Sequence, residues 1–105
     1  MYTRSQYLNG ECTHRQFYLS VAETAGITFN PDDALRDKLY HAWIKDKHFN
    51  DGFSLNWWDR LAIPYHGQIS NALKKHGDCL SLAGCVSLYK TLAKVGLEKY
   101  HQTVS

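Results

Sequence analysis

The amino-acid sequence predicts an all-α protein, a single compact domain of about five short helices spanning residues 1–105. Apolar residues recur at the three- and four-residue spacing typical of helices, and Gly, Asn or Pro separates the periodic segments. Only Ile27-Thr28-Phe29 looks extended, and it is too short to build a sheet. At 105 residues the chain is long enough for one domain and too short for two.

Two helices are predicted in the first part of the chain. A short one covers Thr3 to Leu8. The second covers His14 to Ala25, because Thr13 and Gln16 have the spacing of a capping box and Gly26 suits a C-terminal cap. Its inward face is predicted to hold Phe17, Val21 and Ala25.

The third helix is predicted to begin at Asn30-Pro31-Asp32-Asp33. Asparagine serves as the cap, and proline in the first turn loses no hydrogen bond because the N–H there has no partner within the helix. The two aspartates face the positive helix end. The turn sequence Asn50-Asp51-Gly52 is predicted to end this helix. Its inward face is predicted to hold Leu35, Leu39, Ala42 and Trp43.

Two adjacent tryptophans, Trp57 and Trp58, follow a predicted helix cap at Ser54. Neighbours on a helix point about 100° apart, so one face does not readily bury both rings. Phe53 and Trp58 have the spacing of a hydrophobic staple, which predicts that Trp58 lies in the core. Trp57 falls outside the apolar face, and two interpretations stay open. Either it is exposed to a partner, or it packs back against Trp43 or a neighbouring helix.

Pro64 is predicted to stop this fourth helix, and a short helix from Gln68 to Lys75 follows. The segment from Ser81 to Val95 is apolar around most of its circumference, which is typical of a helix surrounded by others. We expect Gly96 to end it, with a last turn over Leu97 to His101.

Metal binding and catalysis find little support in the sequence. An odd number of cysteines fits no disulfide framework, so Cys12, Cys79 and Cys85 are expected to be small apolar residues in a reducing cytoplasm. Structural zinc sites use two close-spaced ligand pairs, whereas His76-x-x-Cys79 and Cys12-x-His14 are isolated. Neither a G-x-S-x-G elbow nor a phosphate loop occurs. We therefore predict no enzyme activity, metal or other cofactor, unless the fold brings a cysteine and a histidine together.

Charge distribution leaves nucleic-acid binding open as an alternative. The chain carries a net charge of +2, with −1 in residues 1–52 and +3 in residues 53–105. The segment Leu92-Ala93-Lys94-Val95-Gly96-Leu97 faintly resembles the turn of a helix-turn-helix, although its spacing is one residue short. A phosphate-facing patch would use Lys74, Lys75, Lys90 and Lys94.

Protein binding is the leading functional hypothesis. Trp, Tyr and Arg dominate binding hot spots, and such residues bracket the proline turn after the fourth helix. The predicted partner-binding residues are Trp57, Arg60, Tyr65 and His66. The sequence identifies no specific partner, and association with a second copy of the chain stays open. No apolar run approaches the roughly 20 residues of a membrane span.

Three segments resemble small proteins of unknown function encoded by tailed bacteriophages and prophages. They are Tyr7 to Tyr18, Leu55-x-x-Trp58-Asp59-x-Leu61-Ala62, and Gly77-Asp78-x-x-Ser81-Leu82-Ala83-Gly84. The resemblance covers about half of the chain, and no functional residue can be carried over from it. It implies a phage-encoded accessory protein in the host cytoplasm that binds a host or phage macromolecule.

Overall fold

Helices make up most of the chain in a computed structural model, which describes residues 2–45, 55–76 and 82–104, with all their side chains except 55–57 and 82. They run in the order α1 (Arg4–Leu8), α2 (His14–Ala25), α3 (Asp33–Lys45), α4 (Leu55–Ala62), a 3-10 turn (Ile63–Tyr65), α5 (His66–Lys75) and α6 (Leu82–Val104). These ranges contain no strand. The predicted all-α fold is confirmed, and the last helix is longer than expected.

The cap of α2 lies where the sequence predicts it, and α1 has a cap of the same kind at Thr3, one residue before the helix begins. Thr3 caps α1 and Thr13 caps α2, each in a capping box with the glutamine three residues later. At α2, Thr13 Oγ1 accepts from the Gln16 backbone N–H at 3.1 Å, and Gln16 Oε1 accepts from the Thr13 N–H at 2.9 Å. Gly26 ends α2 with φ at 69°, a left-handed conformation that suits glycine.

The start of α3 differs from the prediction. Asp32 caps this helix instead of Asn30, since its Oδ1 accepts from the Leu35 N–H at 2.8 Å. A carboxylate there satisfies an open amide and also faces the positive helix end, which an asparagine two residues earlier cannot do. Pro31 therefore precedes the helix. The predicted terminator, Asn50-Asp51-Gly52, lies outside the described residues.

Pro64 separates α4 from α5, as predicted. Because proline has no N–H and a fixed φ, the chain passes from α4 into one 3-10 turn and enters α5 at His66, two residues before the predicted Gln68. The predicted cap Ser54 and staple residue Phe53 lie outside the described residues.

α6 continues through Gly96 as one helix of 23 residues, so the prediction that Gly96 ends it is wrong. A Cβ at this position would lie 2.5 Å from Cδ1 of Phe29. The glycine thus allows a loop side chain to approach the helix backbone and does not serve as a cap. The unbroken helix also excludes a helix-turn-helix turn at residues 92–97.

The core surrounds α6, which packs against α2, α3, α4 and α5 and so has the central position that its sequence predicts. It buries Cys85, Val86, Leu88, Tyr89, Leu92, Ala93 and Leu97. The other helices contribute Phe17, Val21, Leu39, Trp58, Ile69 and Leu73, among others. Ala25 is exposed, against the prediction, because eight residues rotate a helical side chain about 80° away from the starting face.

The radius of gyration is 13.8 Å, close to the roughly 13 Å expected of a compact chain of about 100 residues. Within the described ranges, none of the helices combines the length and the apolar character that crossing a bilayer requires.

Candidate functional site

The helix with the paired tryptophans is anchored by one of them. Trp58 is 1% exposed, and its ring centroid lies 6.3 Å from that of Tyr89 on α6. The Lys90 ammonium lies 5.8 Å from the Trp58 ring, within the range of a cation–π contact. The core position predicted for Trp58 is confirmed. Trp57 belongs to α4, but its side chain lies outside those described, so its exposure stays a prediction.

The remaining predicted partner-binding residues lie on and beside the 3-10 turn. Arg60 and His66 are exposed. Tyr65 is half-buried, and its ring centroid lies 5.6 Å from that of Tyr89. Part of this side chain therefore packs against α6 and is not available to a partner. Burial and the neighbouring Tyr65 raise the pKa of Tyr89 to about 12.

Sequence reasoning missed a residue in this region. Ile63, in the 3-10 turn, is 65% exposed, and Pro64 beside it is exposed as well. The sequence held a signal for this exposure. Trp58 and Ala62 form the core contact of α4, and Ile63 lies between that contact and Pro64, where the helix stops. We call the exposed set Arg60, Ile63, Pro64 and His66 the turn surface.

The four lysines predicted to face phosphate divide between two places. Lys90 and Lys94 line a shallow depression of about 170 Å³ between the start of α2 and α6, together with His14, Ser87 and Thr91. Lys74 and Lys75 are exposed at the end of α5, where Lys75 lines a separate depression of about 300 Å³ beside the C-terminal end of α2. The fold therefore assembles half of the predicted patch and adds a histidine to it.

An ion pair lies near this basic depression. Both guanidinium Nη atoms of Arg15 donate to the Glu98 carboxylate, at 3.0 Å and 2.8 Å. The pKa of Glu98 is lowered by this hydrogen-bonded contact with Arg15 and, to a smaller extent, by the charge of Lys94. The same contact raises the pKa of Arg15.

A cluster of aromatic side chains joins α3 to the end of α6. The Tyr40 hydroxyl and His101 Nδ1 are hydrogen-bonded at 2.8 Å, and the Tyr40 and Tyr100 rings meet edge to face at 4.9 Å. Trp43 packs edge to face on His101 at 5.5 Å. This cluster was not predicted, because the helix was expected to end at Gly96 and residues 97–101 were expected to form only a last turn. The spacing from Ala93 and Leu97 to Tyr100 and His101 was the signal that could have found it.

A larger depression, about 510 Å³ in volume, lies between the start of α3 and the C-terminal half of α6. We call it the α3–α6 groove. Its charged lining consists of two cations, Arg36 and Lys99, and no carboxylate of the described residues joins them. Its apolar lining includes the Phe29 and Tyr100 rings.

The two cysteines that the structure describes, Cys12 and Cys85, pack against or within the core. Cys85 is fully buried, and burial raises the pKa of its thiol, which disfavours the reactive thiolate. Cys12 is half-buried against the core. Within the described residues, no group of three or more His, Cys, Asp or Glu side chains has an arrangement that could hold a metal ion. Cys79 lies outside those residues.

Compared with protein-family models, curated proteins and solved structures, the chain shows no match.

Proposed function

We propose that this chain is a small non-enzymatic binding protein that contacts a protein partner through the turn surface. The observation that carries the proposal is the 65% exposure of Ile63 between two exposed charged or polar side chains, Arg60 and His66. An exposed apolar side chain beside an arginine can anchor a binding partner. Burying one such side chain in an interface gains about 1.5–3 kcal/mol.

The rigid support beneath the turn surface favours this function further. Trp58 and Ala62 hold α4 in the core, Ile69 holds α5, and the Tyr65 ring rests on Tyr89. Residues on both sides of the turn are therefore fixed by packing. A surface held in place before binding loses little conformational entropy when the partner arrives, which favours affinity.

Trp57 is expected to extend the turn surface, because it occupies α4 three residues before Arg60. Residues three apart lie on the same side of a helix. The resemblance to phage-encoded proteins supports a host or phage protein, encountered in the cytoplasm, as the partner.

Affinity capture with crosslinking tests the proposal. We expect the wild-type protein to retain a defined set of host proteins and Ile63→Asp to lose it, with Trp57→Ala weakening it. Val104→Asp is the matched control, since Val104 is 52% exposed and lies fifteen residues beyond Tyr89 on α6, about 22 Å along the helix axis. Equal capture by all variants would contradict the turn surface as the binding site, and capture of nothing but the chain itself would contradict a different protein as the partner.

Nucleic-acid binding is the second candidate, and the observation that favours it is the meeting of His14, Lys90 and Lys94 along one depression. If this depression contacts about three phosphates of duplex DNA, the logarithm of affinity should fall against log salt with a slope of about −3. Lys94→Gln should reduce that slope by about one, and Lys75→Gln should leave it unchanged. The absence of binding at low salt would eliminate this candidate.

A further inference from the structure

The charged lining of the α3–α6 groove is cationic, and only one of its two cations has an ion-pair partner among the described residues. Arg36 and Lys99 both line it. Lys99 makes no ion pair within the described part of the chain, and Glu23, on α2, lines the adjoining depression instead. A concave surface that carries unpaired positive charge attracts anions.

Arg36 is held in place as a groove cation. Its guanidinium carbon lies 4.5 Å from the centre of the Tyr100 ring, and one Nη lies 3.1 Å from Asp33 Oδ1. The Arg36 Nε is buried and finds no acceptor among the described residues. The guanidinium has five N–H donors. Asp33 is the one ion-pair partner that it has among the described residues, so its remaining N–H groups can serve a ligand.

The pair that Arg36 makes with Asp33 is easily replaced. The side chains of Arg36 and Asp33 are 37% and 89% exposed, and an ion pair at such exposure contributes little to stability. A ligand carboxylate or phosphate can therefore take the place of Asp33 on the guanidinium. Two of its oxygens can then accept two parallel N–H bonds, the geometry in which arginine binds oxyanions best.

Two aromatic rings, Phe29 and Tyr100, form apolar parts of the groove wall, and packing holds both in place. The Phe29 ring rests on the backbone of Gly96, and the Tyr100 ring is held between Arg36 and the edge-to-face Tyr40. Asn30 also lines the groove, and its side chain carries an amide that can form hydrogen bonds. A volume of about 510 Å³ falls within the roughly 300–1,000 Å³ typical of small-molecule sites.

We infer that the α3–α6 groove binds a small organic oxyanion, a ring-sized apolar body that bears a phosphate or carboxylate group. The oxyanion lies between Arg36 and Lys99, and the ring contacts Phe29. This inference is independent of the proposed turn surface, which lies on the α4–α5 side of the molecule.

Titration of the isotope-labelled protein, followed by amide chemical shifts, tests the inference with four ligands. Phenyl phosphate and benzoate carry both an oxyanion and an aromatic ring. Inorganic phosphate carries the charge alone, and benzyl alcohol carries the ring alone. We expect saturable shifts at residues 29–36 and 96–103 with phenyl phosphate or benzoate. Whichever of these two binds more tightly identifies the oxyanion. Inorganic phosphate lacks the ring contact and benzyl alcohol lacks the charge-assisted contact, so each should bind at least about tenfold more weakly.

Three exposed substitutions make the test specific. Lys99→Gln should weaken the binding of phenyl phosphate about tenfold, and Asp33→Asn should strengthen it by freeing Arg36. Lys75→Gln is the control, because Lys75 is exposed like Lys99 and lines another depression. Shifts centred on His14 and Lys94, equal affinity in wild type and Lys99→Gln, or no saturable shift with either two-feature ligand would overturn the inference.

Discussion

The ring of Phe29 lies directly on the backbone of Gly96, in the middle of the longest helix. A Cβ at position 96 would lie 2.5 Å from Phe29 Cδ1 and 3.3 Å from Cε1 and Cγ. Glycine in a helix interior costs about 1 kcal/mol relative to alanine, so in this protein the close approach of a ring offsets poor helix propensity. The same contact forms one wall of the α3–α6 groove.

Gly96→Ala should therefore lower the free energy of unfolding by about 1–2 kcal/mol, although alanine is the better helix former. Chemical denaturation measures this change. Gly67→Ala is the control, since a Cβ there meets no atom within 4 Å, and it should be neutral or stabilise the protein by up to about 1 kcal/mol. Stabilisation by Gly96→Ala of the size that propensity alone gives would show that the ring moves aside at no cost.

The two tryptophans should differ sharply in their contribution to stability. Trp58→Ala removes a ring that is 1% exposed and should cost about 3–5 kcal/mol, whereas Trp57→Ala should change the free energy of unfolding by less than about 0.5 kcal/mol. Urea denaturation of both variants provides the comparison. Equal losses would mean that Trp57 packs against Trp43 or a neighbouring helix.

Local signals predicted those parts of the fold that local interactions determine. The bounds of α2 follow from the capping box at Thr13 and the glycine at position 26, because both act within one helical turn. Gly96 carries the same local signal as Gly26, yet packing against Phe29 gives it another role. A single sequence shows no contact between residues so far apart in the chain.

The candidate sites divide in the same way. Arg60 and His66 were predicted because they flank a proline turn, a feature of adjacent residues. The α3–α6 groove was missed because Arg36 and Lys99 come from helices that meet only in the folded chain. Lys74 and Lys90 appeared equivalent in the sequence for the same reason. The fold places Lys74 at the exposed end of α5 and Lys90 in the depression between α2 and α6.

The Arg15–Glu98 ion pair should contribute to stability at neutral pH and lose that contribution in acid. Because the pKa of Glu98 is lower in the folded protein than the roughly 4.3 of an unfolded chain, the contribution is present above that pH and is lost as pH falls through the folded value. The side chains are 48% and 40% exposed, so we expect only about 0.2–1 kcal/mol.

A double-mutant cycle with Arg15→Gln and Glu98→Gln, at neutral pH and below pH 3, measures this coupling. Glu23→Gln is a suitable control, since Glu23 is exposed and lacks an ion pair within the described residues. A coupling energy that is the same at both pH values would show that the pair is not electrostatic.

Tyr89 should make the protein lose stability in alkali. Its pKa is about 12 in the folded protein, mainly because of burial, and about 10 in an unfolded chain. The contribution of Tyr89 to the free energy of unfolding is therefore fully present below pH 10. It is lost as pH rises to 12, by on the order of 2 kcal/mol. Tyr89→Phe should flatten this fall and remove the component of tyrosinate absorbance that titrates last. An unchanged alkaline profile in Tyr89→Phe would assign the fall to other groups.

Site-specific photo-crosslinking in cells tests the proposed function most directly. A photoreactive phenylalanine analogue placed at position 60, on the turn surface, should form a covalent adduct with a discrete partner protein, and Ile63→Asp in the same chain should abolish it. The same analogue at position 104, at the far end of α6, should give no such adduct. Adducts of equal yield at positions 60 and 104, or none at position 60, would contradict the turn surface as the site of protein binding.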